Sequence, residues 1–167
     1  LELYKLLTFL LIFIILFSNI SYGVEYLVLD ADGNYAVLKD HYVPTDEEEK
    51  AVNDIVAAWC KRNNSSDDLQ MYYRIRNYIA RKVTYDNDKK YSYSAYGALI
   101  RGRAVCMGYA LLAKKFFDYK KMENYLIWDL KENHLYNRIL LNGKWEDVDI
   151  TWYDYGLEKL ERWYAGR

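Results

Sequence analysis

The sequence predicts an α+β fold, and three observations carry that prediction. Three stretches with helical hydrophobic spacing come first, between residues 45 and 119. After Lys120-Lys121 the spacing changes to two, the period of a half-buried strand. Asn142-Gly143 then separates two such runs, and this dipeptide strongly favours a tight hairpin. Helices followed by antiparallel strands make the α+β pattern.

The elements follow in order. Lys5 precedes an apolar run from Leu6 to Phe17, and Ser21 and Gly23 supply small side chains for a cleavage site. The run is shorter than the ~20 residues of a membrane-spanning helix. Residues 1–23 therefore read as a signal peptide, and the mature protein as secreted or held at the cell surface, free of the membrane once cleaved. Residues 24–66 supply an N-terminal hairpin and helix. Residues 26–29 and 35–38 are β-prone, and Asp30 to Asn34 reads as the turn between them. That acidic turn lacks the glycine and glutamate positions of an EF-hand loop. His41 is read as a loop residue.

Thr45 with Glu48 forms a capping box for a helix whose apolar positions are Ala51, Ile55, Val56, Ala58, Trp59 and Cys60. Residues 67–167 form the core. Asp67 caps a second helix with Leu69, Tyr72, Ile75, Tyr78 and Ile79 on one side, and Arg74, Arg76, Arg81 and Lys82 on a solvated face. A third helix is expected from Ala104 to Tyr119. Strands are expected at Tyr125–Trp128, Leu135–Leu141 and Lys144–Trp152, and a short amphipathic helix near Leu157–Trp163.

Composition narrows the function. Basic and acidic side chains number 23 and 24, for a net charge of −1, which argues against a nucleic-acid partner. Two cysteines exclude a disulfide-stapled miniprotein. Two histidines leave little for a metal site, and no cofactor motif is present. The 19 tyrosines suit either an aromatic core or an amphipathic surface.

The hairpin sets a register. If Leu141 pairs with Lys144, then Arg138 faces Asp147, Tyr136 faces Asp149 and His134 faces Thr151. His134 and Asp149 become same-face diagonal neighbours about 7–8 Å apart. An imidazole beside a carboxylate is the orienting half of a nucleophilic triad. Cys106, at a helix start where unpaired N–H groups favour a thiolate, fits as the nucleophile. Read singly, Cys106 is a small buried residue, His134 a strand histidine and Asp149 a surface carboxylate. Asp147 competes with Asp149 for the carboxylate role, although an ion pair with Arg138 accounts for it.

The segment Ser94 to Ala110, with Gly102-Arg103-Ala104-Val105-Cys106-Met107-Gly108-Tyr109, resembles the nucleophile segment of the bacterial transglutaminase-like superfamily. His134-Leu135-Tyr136-Asn137 and Asp149-Ile150-Thr151-Trp152 resemble its histidine and aspartate segments, in the same order, and Val83-Thr84-Tyr85-Asp86 also fits. The resemblance spans about residues 67–154. It implies a papain-like core with the nucleophile helix packed on an antiparallel sheet. It also implies Cys106 as nucleophile, His134 as general base and acid, and Asp149 as orienting carboxylate. Leu135 and Ile150 replace a smaller residue and a proline found in many members. Members usually add strands beyond the position of Trp152, and this sequence opens with Leu1, so a truncated or frame-shifted chain is one reading of its ends.

The function this implies is an exported thiol enzyme acting on amide bonds of proteins or peptides, cell-wall-associated ones included. It is an acyl transferase or peptidase working through a cysteinyl thioester, with no metal or cofactor. The alternative is a non-catalytic surface-binding module that retains the fold. Its tyrosines would make the contacts, and a Cys60–Cys106 disulfide would occupy the thiol.

Overall fold

A computed structural model describes residues 25–30, 32–39 and 42–154. The expected signal peptide, His41 and the expected helix near 157–163 lie outside the described residues.

The strands are β1 (Glu25–Asp30), β2 (Tyr35–Lys39), β3 (Thr84–Tyr85), β4 (Arg103–Ala104), β5 (Asn124–Asp129), β6 (His134–Leu141) and β7 (Lys144–Val148). The helices are α1 (Asp46–Arg62), α2 (Asp68–Lys82) and α3 (Cys106–Tyr119). A 3-10 turn at Lys90–Tyr93 and a π turn at Gly97–Arg101 lead into β4.

Helix α3 is the centre of the fold. Its residues from Met107 to Ala113, with Phe116 and Phe117, are buried on all sides, as expected of a helix without a polar face. It touches β5 and β6 on one side and α1, α2 and the 90–101 turns on the others. Trp59 of α1 meets Phe116 edge-on at 5.2 Å, so α1 packs on the C-terminal half of α3.

The main sheet runs β2-β1-β5-β6-β7. It is antiparallel except where β1 pairs in parallel with β5, bringing the N-terminal hairpin onto the same sheet. The hairpin turn is held by Asp30, whose carboxylate accepts the Asp32 and Asn34 N–H groups. Asn142 and Gly143 take φ of +50° and +77°, the left-handed pair of a tight turn. The β6–β7 ladder pairs Leu141 with Lys144 and Arg138 with Asp147, the expected register.

Four expectations are corrected. The last strand does not reach Trp152. It ends at Val148, the ladder stops at Asn137–Val148, and residues 150–154 are helical. Tyr136 therefore does not pair with Asp149, nor His134 with Thr151. The buried line of α1 is Val52, Val56 and Cys60, spaced by four, while Ile55 is turned outward. Finally, Arg76 is not simply solvated: its guanidinium lies 3.7 Å from the centre of the Tyr153 ring and 4.8 Å from that of Tyr73. The third helix also starts two residues later than expected, because Arg103 and Ala104 pair with Thr84 and Tyr85.

Candidate active site

Cys106 is the first residue of α3. The cap residue, Val105, makes no side-chain bond to the helix, and its own N–H is tied to the Ser92 carbonyl at 2.9 Å. The first-turn N–H groups, which have no intrahelical partner, are thus left to the sulfur and its surroundings. Gly108 lets this turn sit close to residues 92–94. A Cβ there would lie 2.6 Å from the Ser92 carbonyl oxygen and 3.0 Å from that of Ser94.

His134 is the first residue of β6, paired with Asp129 across the ladder. The β5–β6 turn is shaped by Asp129, which accepts the Lys131 and Glu132 N–H groups, and by Asn133 at φ +48°. The β6 side chains alternate strictly, with Leu135, Asn137, Ile139 and Leu141 inward. Asn137 is buried and donates to the Ala110 carbonyl of α3 at 3.1 Å, which fixes β6 against the nucleophile helix.

Asp149 follows the end of β7. Its Oδ2 lies 2.5 Å from His134 Nε2, while its Oδ1 accepts the Trp152 N–H at 3.2 Å and caps the 150–154 turn. That turn is anchored to the helices. Tyr109 of α3 donates its hydroxyl to the buried Asp154 at 2.5 Å, and Tyr153 donates to Asn77 of α2 at 3.0 Å.

The structure therefore brings Cys106, His134 and Asp149 together. Since Nε2 faces Asp149, Nδ1 is the nitrogen left for Cys106. Burial acts most strongly on the thiol and raises it. The hydrogen bond from His134, the Leu135 N–H, the His134 charge and the Met107 N–H outweigh that effect, and the net result is below the ordinary cysteine value. His134 is pushed up to about 10, first by its bond to Asp149 and then by its bond to Cys106, against burial. The two side chains His134 and Asp149 are 18% and 21% exposed, so solvent screens them little. The pairing favours the thiolate–imidazolium form over the neutral thiol and imidazole.

Both cysteines are free thiols. Cys60 is buried, pushed up to about 11 by that burial, with the Lys120 charge opposing. Lys120 follows the last residue of α3, and that 14-residue helix spans about 21 Å from Cys106. The Cys60–Cys106 disulfide of the alternative reading is not formed in this structure.

Asp147 makes a two-point pair with Arg138, at 2.5 and 2.9 Å, and not with His134. Residues that sequence reasoning gave no role also border the site. The Trp152 ring lies 6.1 Å from His134 and is 64% exposed, and Tyr136 stacks beside His134 at 6.3 Å. Tyr85 feels the charge of Cys106 and Tyr93, after burial, and its phenol is raised. The pairing of Tyr85 with Ala104 brings it there, a contact between short strands that no local pattern reveals. Among the described residues no three His, Cys, Asp or Glu side chains form a metal-binding group, and no helix is long and apolar enough to cross a membrane.

No protein-family profile matches this sequence, and no curated protein matches it. Among solved structures, one described as a TGase aligns with a TM-score of 0.55 and 18% identity, over 65% of this chain and 33% of that one. The fold is transglutaminase-like. This chain spans about a third of that protein's length. A candidate cysteine protease from Cytophaga hutchinsonii aligns at 15% identity with a TM-score of 0.47, over 67% of this chain and 46% of that one. The expected α+β class with a nucleophile helix on a sheet agrees with the transglutaminase-like architecture.

Proposed function

We propose that this chain is an exported thiol enzyme that cleaves or transfers amide bonds of protein or peptide substrates through a thioester on Cys106. The observation that supports the reading is the order Cys106–His134–Asp149, with Nε2 held by the carboxylate and the imidazole hydrogen-bonded to the thiol.

Each group then has a task. The Cys106 thiolate attacks the amide carbonyl, and the carbonyl oxygen becomes an oxyanion beside the free N–H groups at the start of α3. His134 gives its Nδ1 proton to the departing amine as the C–N bond breaks, which leaves the thioester. Water or a second amine loses a proton to His134 and attacks that thioester, and the thiolate departs. Asp149 keeps the imidazole in the tautomer that serves both steps. Export rests on residues 1–23, with their positive charge, apolar run and small-residue end. It points to substrates at the cell surface, wall-associated proteins or peptides included.

The test is incubation with a glutamine-bearing protein and a labelled primary amine, reading label incorporation against ammonia and new peptide termini. Label that depends on Cys106 and His134 is transfer. Ammonia or new termini without label is hydrolysis. If none of these depends on Cys106, the reading falls.

A further inference from the structure

The helices cover one face of the main sheet, and the other face continues from the site with apolar side chains on either side of the Arg138–Asp147 pair. A row across the strands reads Tyr35, Leu29, Ile127 and Tyr136 by register, with Tyr35 exposed, Leu29 half-buried and Ile127 buried, and Tyr136 is the ring stacked on His134. On the same face Leu27 is 65%, Tyr35 72% and Val37 52% exposed. Tyr125 and Trp145 face each other at 5.2 Å. Exposed apolar surface of this extent marks a docking surface.

Two cavities organise it. One of about 410 Å³ adjoins the candidate triad and includes Asp129, Glu132, His134 and Trp152. The other, of about 700 Å³, lies over the aromatic pair. They meet at Asp147, which lines both. The charge is one-sided. Among the described residues, the only cations lining these cavities are His134, held by Asp149, and Arg138, held by Asp147, while Asp129 and Glu132 have no salt-bridge partner.

We propose that this face is the binding track for the substrate polypeptide, taking an extended segment with basic side chains near the thiol and aromatic or large apolar side chains over Tyr125 and Trp145. This rests on the thiol-enzyme reading above and adds the substrate class. Charge complementarity selects the basic part, and the aromatic pair selects the apolar part. The spacing follows from β6. Arg138, opposite Tyr125, lies four residues along from His134, and Leu140, opposite Trp145, lies six. At about 3.4 Å per residue, the aromatic pair stands about 14–20 Å from the imidazole, the reach of four to six extended residues.

The experiment uses the Cys106→Ala protein and fluorescent peptides read by anisotropy. Each peptide carries one glutamine. The long form adds two adjacent lysines and a Leu-Trp pair at positions five and six, built in both chain directions. The short form ends after the lysines, and a third form replaces lysine by glutamate. The long form in one direction should bind roughly tenfold tighter than the short one. Trp145→Ala and Tyr125→Ala should erase that gain, while Tyr119→Ala, an aromatic of similar exposure at the far end of α3, should not. The glutamate form should bind roughly tenfold more weakly, with the difference shrinking in high salt and in Asp129→Asn/Glu132→Gln. Melting curves confirm that each variant is folded. Equal binding of long and short forms in both directions would overturn the track. So would a gain that survives Trp145→Ala, or a concentration-dependent dimer abolished by Trp145→Ala, which assigns the face to a second copy. Wild-type turnover separates the two ideas. Turnover without a length preference removes the track and leaves the enzyme, and a length-dependent Kd without turnover does the reverse.

Discussion

Asp149 serves two N–H groups with its two oxygens, and an asparagine there has one oxygen for both. Oδ2 holds His134 Nε2 at 2.5 Å and Oδ1 caps the Trp152 N–H at 3.2 Å. Asparagine caps a helix as well as aspartate does, so Asp149→Asn should keep the cap and lose only the charge pairing with His134. Asp149→Ala loses the cap as well, a further cost of about 1 kcal/mol, or about 2–4 °C in Tm below the asparagine variant for a chain of this size. The site responds differently. With its oxygen committed to Trp152, the asparagine turns an NH₂ toward Nε2. The neutral imidazole then carries its proton on Nδ1, the nitrogen that must accept one. His134 is raised from 6.5 to about 10, with Asp149 as the largest cause. That whole shift represents roughly 5 kcal/mol between protonation states, shared between Asp149 and Cys106. Both variants should therefore lose turnover by roughly 10²–10⁴-fold, while alanine melts earlier than asparagine. The assay is kcat/KM on an amide substrate beside a melting curve for each protein. An asparagine variant within about threefold of wild type would refute the two-oxygen argument. Equal melting of the alanine and asparagine variants would refute the cap.

Three further outcomes are expected. Iodoacetamide at mildly acidic pH should label Cys106 well before Cys60, and His134→Ala should remove the preference; mass spectrometry of the labelled peptides reads both. Because the folded-state value of His134 lies above its unfolded one, its stability contribution is fully present at pH 6 and is lost as pH rises from 6.5 toward about 10. Urea midpoints of wild type and His134→Gln should therefore converge toward pH 10, and a constant gap would contradict this. Gly108→Ala gains helix propensity but presses its Cβ on the Ser92 carbonyl and the Ala104 Cβ, at 2.6 and 2.7 Å. It should cost about 1–3 kcal/mol by urea unfolding and lower turnover, since it displaces the turn bearing the thiol.

What the sequence made legible was local. Asn142-Gly143 announces its own turn, and from it the Arg138–Asp147 pair follows residue by residue. Thr45 with Glu48 and Asp67 with Gln70 likewise reveal their caps, because each bond closes within three residues. The register puts Asp149 near His134 only by running the strand on to Trp152, whereas it stops at Val148, one residue before Asp149. The β-prone Val148-Asp149-Ile150-Thr151-Trp152 concealed the switch to a helical turn, whose anchors, Tyr109 and Asn77, lie far away in sequence. The parallel β1–β5 pairing and the approach of Tyr85 to the thiol are long-range in the same sense. No period or turn residue encodes them, and they follow from how the hairpin and α2 pack around the buried part of α3.

The anchoring of the 150–154 turn to Tyr109 has a mechanical consequence. From Cys106 the path runs through His134 to Asp149, along the turn to Asp154, and back through Tyr109 to the same helix, three residues from where it began. The thiol and the carboxylate are thus links of one closed linkage whose fixed bar is α3. Asp149 is also joined through Val148 to β7, so this linkage ties the end of the sheet to the helix bearing the thiol. The imidazole is carried on β6, and Asn137, riveting that strand to the Ala110 carbonyl, ties it to the same helix.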